Sequence, residues 1–196
     1  IFVVLHRCVA PPAAQDGLVL ALRRSTRLAV YTATDLRGFR HGCVYVAPPG
    51  SHLLLQDGLM RLEHGAKEHL LRPGIDALFR SAAASYGSRC IGVVLSGVLR
   101  DGTSGLWQIR KHGGVAIVQD PDEAEYPEMP LSALNDVSAA HVLPFHLAMR
   151  FAGVTSAFVK LPPTYRFPLP SKVRAYTELV MPTPNALHAL PFHLAR

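Results

Sequence analysis

The stretch from Cys90 to Gly105, CIGVVLSGVLRDGTSG, constrains the fold of this chain more than any other. A short apolar run rich in β-branched residues passes into a cluster of Ser, Gly and Asp, and an amphipathic pattern follows from Leu106 to His112. That order reads as a buried strand, a tight turn and a helix. In an open α/β sheet, ligands bind where strands end and helices begin, so the reading carries Asp101 to the functional edge of the sheet. A plainer reading stands beside it, in which Asp101-Gly102 is a turn pair with Asp101 near a helix N-cap.

The rest of the chain fits the same architecture. Ile1 to Leu5 is continuously apolar and ends at His6, the signature of a strand covered on both faces. Pro11-Pro12 breaks the chain, and Leu18 to Arg24 carries helical spacing before a strand-like run, Leu28 to Thr32. Cys43 to Ala47 reads as a further strand. His52 to Gln56 and Leu59 to Glu63 flank Asp57-Gly58, a strong hairpin signal. Asp76 is the expected N-cap of a helix from Ala77 to Tyr86. Beyond the organising segment come a strand at Val115 to Gln119, a short helix at Leu131 to Leu134, a strand at Ala140 to Leu143 and a helix at Phe145 to Phe151. This alternation predicts an α/β fold: a doubly wound, mostly parallel sheet with helices on both faces and an antiparallel hairpin insertion. The domain is expected to span residues 1–153. Residues 154–196 read as a Pro-rich linker or tail on the surface, because LPPTYRFPLP at 161–170 suits neither a regular helix nor an internal strand. LPFHLA occurs at 143–148 and again at 190–195, a repeat too short to define a fold.

Composition narrows the function classes. The net charge of +6 is spread without a basic block, so it argues no more for nucleic acid than for an acidic protein partner. Cys8, Cys43 and Cys90 are odd in number and two lie in apolar strands, which predicts no disulfide framework and a reducing, cytoplasmic setting. No run of about 18 apolar residues and no signal-peptide pattern occurs, so neither membrane insertion nor export is expected. The sequence opens at Ile1 inside a strand pattern, from which an upstream segment is expected.

His6 and Asp101 each follow an apolar strand, and the topology rule puts both on one sheet edge. A His held by an Asp is two thirds of a hydrolytic triad, lacking the hydroxyl that the imidazole activates. His6 taken alone reads more readily as a hydrogen-bonded histidine at a strand end. His6 with Cys8, His41 with Cys43, and His64 with His69 do not repeat at zinc-site spacing, so no metal is expected. GVLRDG lacks the Lys and Ser/Thr of a phosphate loop, and GGVAIVQD has its glycines on the wrong side of its strand for a dinucleotide turn.

Four segments together carry a family resemblance: FVVLH at 2–6, GCVYVAPPGSHLLL at 42–55, RPGIDALFRSAAASYG at 72–87 and the long run IGVVLSGVLRDGTSGLWQIRKHGGVAIVQDPDEAEYPEMPLSAL at 91–134. In this order they resemble the catalytic domain of the chemotaxis protein-glutamate methylesterase (CheB) family over roughly residues 1 to 150. The resemblance implies a Ser-His-Asp triad with His6 as the His and Asp101 as the Asp, and no metal or cofactor. It places Val98 and Met129 beside the substrate, with core packing as the other reading of Met129. It implies hydrolysis of glutamate γ-methyl esters on the cytoplasmic helices of chemoreceptors, often with glutamine deamidation, in a family whose members commonly carry a receiver domain. The family's nucleophile sits in a GxSxGG-like turn, and no such segment occurs here. Neither Ser96 nor Ser104 takes that position, so the chain as given is expected to be nearly inactive. Val98, Leu99 and Gly74 also depart from residues common in the family. The alternative is a non-catalytic protein that uses the same edge to hold receptor helices or a partner.

Overall fold

The computed structural model describes residues 1–4, 15–138, 141–151 and 178–182. In chain order the elements are β1 (Phe2–Val4), α1 (Gln15–Ser25), β2 (Ala29–Thr32), β3 (Arg37–Gly38), β4 (Cys43–Val46), β5 (His52–Gln56) and β6 (Leu59–Glu63). They continue with α2 (Ile75–Tyr86), β7 (Cys90–Val94), α3 (Thr103–Lys111), β8 (Val115–Gln119), α4 (Glu128–Asp136), β9 (His141–Leu143), α5 (Phe145–Phe151) and β10 (Glu178–Pro182). Seven strands form one sheet in the order β2-β4-β1-β10-β7-β8-β9, and β3, β6 and β5 form a small antiparallel sheet beside it. None of the helices described is long and apolar enough to cross a membrane.

The continuous apolar runs are explained by burial on both faces of the large sheet. Successive side chains alternate between two cores. Phe2, Val4, Cys90, Val94, Ala116 and Val118 face one core, with α2, α3, α4 and the β5–β6 hairpin. Val3, Ile91, Val93, Val115 and Ile117 face the other, with α1 and α5. Each buried Val, Leu, Ile or Phe contributes roughly 1.5–3 kcal/mol relative to exposure, and in β1, β4, β7 and β8 neither face is left to water. The parallel α/β sheet and the antiparallel hairpin agree with the expected fold class, and β5 and β6 match the expected strands residue for residue. Cys43 and Cys90 are buried free thiols, and burial pushes the Cys90 thiol up to about 12.

Two expectations are corrected. Residues 178–182 form a strand where an irregular linker or tail was expected: β10 pairs antiparallel with both β1 and β7 in the middle of the sheet, Val180 standing opposite Phe2 on one side and Gly92 on the other. The physical reason is geometric, since β1 and β7 each have a partner on one side only, β4 and β8, and β10 supplies the ladder on the other. Pro182 is tolerated because it ends the strand. Secondly, Asp76 does not cap its own helix. Gly74 is the N-cap residue, Asp76 is the second residue of α2, and its side chain turns to α3.

That turn is possible because α2 and α3 pack closely. A Cβ on Gly105 would stand 2.5 Å from Phe79 Cβ and 3.1 Å from the Asp76 backbone, so only glycine lets the first turn of α3 approach the first turn of α2.

Candidate functional site

At the C-terminal end of β7 the chain runs through Ser96, Gly97, Val98, Leu99 and Arg100 to Asp101, then into α3. Asp101 is 1% exposed. Its Oδ2 accepts the Ile75 N–H at 2.8 Å, and Oδ1 accepts the Asp76 N–H at 3.0 Å and the Gly102 N–H at 2.9 Å. Ile75 and Asp76 are the first two residues of α2, whose N–H groups have no acceptor within the helix, and the positive end of the helix dipole favours a carboxylate there. Asp101 therefore caps a neighbouring helix, and the plainer reading of it as a local cap for α3 is replaced by a long-range one. Asp76 returns the arrangement, its Oδ1 accepting the Gly105 N–H of α3 at 2.6 Å. The two helices thus cap one another.

His69 adds a third group. Its Nε2 lies in hydrogen-bond contact, 3.1 Å, with Oδ2 of the buried Asp76. The Asp76 carboxyl is raised above its ordinary value, chiefly by burial and further by the nearby Asp101, with the Gly105 hydrogen bond and His69 opposing. Among the described residues, His69, Asp76 and Asp101 are the grouping whose ligand atoms come close enough for a metal, within 4.8 Å of one another. Those oxygens already accept backbone N–H groups and His69 already meets Asp76, so the cluster reads as a hydrogen-bonded cap.

The loop is fastened to α4 as well. Gly97 N–H donates to Tyr126 O, Met129 N–H donates to Gly97 O, and Leu99 N–H donates to Glu128 Oε2 at 3.1 Å. Met129 is fully buried in the core beneath the loop, and a Cβ on Gly97 would meet its Sδ at 2.4 Å. Val98 is partly exposed. Ser96 is engaged: its N–H donates to Gln119 Oε1 at 2.8 Å and its Oγ accepts the Tyr126 N–H at 2.9 Å. Ser104, by contrast, is exposed and lines a depression with His69 and Asp76. His6 lies outside the described residues. The strand before it, β1, is antiparallel to β10, which is antiparallel to β7, so β1 and β7 run the same way and end at the same edge.

A model of the CheB methylesterase family matches residues 1–150. The chain belongs to that family. A putative protein-glutamate methylesterase/protein-glutamine glutaminase of Leptospira interrogans is 39% identical over 123 residues, which cover 62% of this chain and 64% of that protein. The protein-glutamate methylesterase FrzG of Myxococcus xanthus is 42% identical over 130 residues, 66% of this chain and 39% of FrzG. The crystal structure of the Thermotoga maritima CheB methylesterase catalytic domain is similar with a TM-score of 0.68 and 30% identity, covering 76% of this chain and 80% of that one. The chain spans less than two thirds of the length of these curated relatives.

The sequence singled out Asp101 and the edge on which it stands. It missed the roles of His69 and of the Asp76 carboxylate, whose partners are 7 and 29 residues away in the chain. The only local signal was an acid two residues after Gly74 at a helix start, and that signal points equally to an ordinary N-cap.

Proposed function

We propose that this chain carries the His-Asp part of a protein-glutamate methylesterase acting on glutamate γ-methyl esters of chemoreceptor cytoplasmic helices in chemotaxis signalling, in the cytoplasm, with glutamine deamidation as a second activity. The observation that carries the reading is Asp101: a buried carboxylate at the C-terminal end of a parallel strand, fixed by three backbone N–H groups, in a chain that belongs to the CheB methylesterase family. In this reading His6 takes the proton from a serine hydroxyl as it attacks the ester carbonyl, then returns it to the departing methoxide, and methanol leaves. Water hydrolyses the acyl-enzyme by the same exchange. Asp101 orients the imidazole and supports its positive form. No metal or cofactor enters these steps. In this reading Val98, which is partly exposed, contacts substrate from the open side of the loop, and Met129, buried beneath it, acts by holding Gly97 in place.

The serine is the missing member, since the sequence holds no GxSxGG-like turn. Loss of a triad serine costs on the order of 10⁶ in turnover, so the sequence as it stands should release almost no methanol. The test is methanol release from a methylated chemoreceptor by this sequence and by the same sequence extended upstream with a strand, a GxSxGG turn and a helix. The expected result is activity in the extended form alone. Equal rates would overturn the missing-serine reading and direct attention to Ser104, which shares its depression with His69 and Asp76.

A further inference from the structure

His52, the first residue of β5, is a buried imidazole that takes no part in the steps above, yet both of its ring nitrogens are engaged. The Gly74 N–H donates to Nδ1 at 3.0 Å. A ring nitrogen that accepts carries no proton, so the neutral ring holds its proton on Nε2 and donates it to Ala66 O at 2.9 Å. The two partners fix the tautomer and the plane of the ring together. Ala66 follows β6 in a segment that Arg72 clasps, its Nη1 donating to His64 O at 2.8 Å and to Gly65 O at 2.7 Å. His52 therefore bridges the β5–β6 hairpin to the start of α2.

That start is where Asp101 is held. Gly74 is the N-cap residue of α2, and the next two N–H groups, those of Ile75 and Asp76, donate to Asp101 at 2.8 and 3.0 Å. Three successive N–H groups thus meet one imidazole and one carboxylate. Gly74 has no side chain to restrain its own backbone, and rotation about its dihedrals would swing the Ile75 N–H away from Asp101. The bond from His52 restrains it. Space, not conformation, asks for glycine here: φ is −105°, open to any residue, but a Cβ would stand 3.1 Å from both Cε1 and Nδ1 of His52 and 3.2 Å from Glu68 Cβ.

We propose that His52 is a positioning residue for Asp101: through Nδ1 it fixes Gly74, and through Gly74 it aims the Ile75 and Asp76 N–H groups that hold the carboxylate. The consequence for turnover rests on the esterase reading above, whereas the positioning itself is a property of the chain as given. Paired replacements separate the two ring nitrogens. In His52→Asn the side-chain oxygen takes the place of Nδ1 and still accepts the Gly74 N–H, while in His52→Gln the amide reaches the place of Nε2 and keeps only the donor to Ala66 O.

In the chain as given, nitrogen NMR of the His52 ring should show the proton on Nε2. Amide hydrogen exchange at Ile75 and Asp76 should be faster by about tenfold or more in H52Q and close to the parent's in H52N, with the interior of α2, Arg80 to Tyr86, unchanged in both. A role in filling space alone predicts the opposite order, since glutamine is nearer to histidine in volume. In the serine-extended chain, H52Q should lower kcat for methanol release by about tenfold or more with KM unchanged, and H52N should keep the parent's kcat. A proton on Nδ1, equal exchange at Ile75 and Asp76 in the two variants, or faster exchange throughout α2 would each overturn the proposal. A serine-extended chain that releases no methanol, while exchange in the chain as given still separates H52Q from H52N, sinks the esterase reading alone. Methanol release that is indifferent to H52Q sinks the positioning role alone.

Discussion

Around Asp101, two helices are joined first turn to first turn by buried carboxylates, whereas between β1 and β7 the sheet is closed by β10 through backbone pairing. The first region draws on residues 75–105 and the second joins residues 2–4 and 90–93 to residues 178–182. In the first, every carboxylate oxygen that is lost leaves a buried N–H without a partner, which costs more than the bond itself contributed. In the second, backbone groups can be re-paired by any strand of suitable length, so the pairing specifies its occupant less strictly. The candidate site is thus built into the more specific of the two regions, and the central seam can change without dismantling it.

The largest effect should come from D101A. Three backbone donors at the start of α2 and α3 would lose their acceptor, and the loss of stability should be on the order of 4 kcal/mol, read by urea denaturation. A loss below about 1 kcal/mol would show that the reciprocal cap is not what joins the helices. Next, V180P removes a ladder N–H from a strand paired on both sides, at a cost of about 3 kcal/mol. Hydrogen exchange should show faster exchange at Phe2–Val4 and Ile91–Val93, while the amides of Ile75, Asp76 and Gly105 keep their protection. Equal loss in both sets would erase the distinction between the regions.

The smallest effect is linked to pH. Asp76 has its carboxyl raised above 3.8, first by burial, so the folded chain holds that proton more tightly than the unfolded chain does. Its contribution to stability is fully present below 3.8 and is lost as pH rises through the raised value. D76N keeps an acceptor for the Gly105 N–H and has no charge to bury. The stability difference between variant and parent should therefore move in favour of D76N from pH 3 to pH 7, in urea midpoints taken at both ends. A difference that does not change with pH would remove Asp76 ionisation from the account.

The sequence was most legible where short-range chemistry decides the structure. β5 and β6 follow from alternation and Asp57-Gly58, and β7 and β8 follow from apolar runs that alternate between two cores. α4 begins at Glu128, three residues before its expected start, because Pro130 lies in the first turn, where the missing N–H is not needed. The mutual capping of Asp76 and Asp101 spans 25 to 29 residues and leaves no local pattern. β10 was hidden for another reason: five residues among prolines offer no period, and their strand conformation depends on β1 and β7 lying on either side. The role of Asp101 as the triad acid came from the family resemblance, while its burial and its donors are properties of the fold.

The most direct test of the central claim is methanol release from methylated chemoreceptor by the serine-extended chain and its D101N variant, with folding checked by urea denaturation. Asparagine fills the same space and keeps one acceptor oxygen, which costs stability at the donors that met the other, and it cannot support an imidazolium. The account predicts a folded D101N protein whose turnover falls by about 10⁴. A folded D101N protein with the parent's rate would contradict it, leaving Asp101 as a helix cap and nothing more.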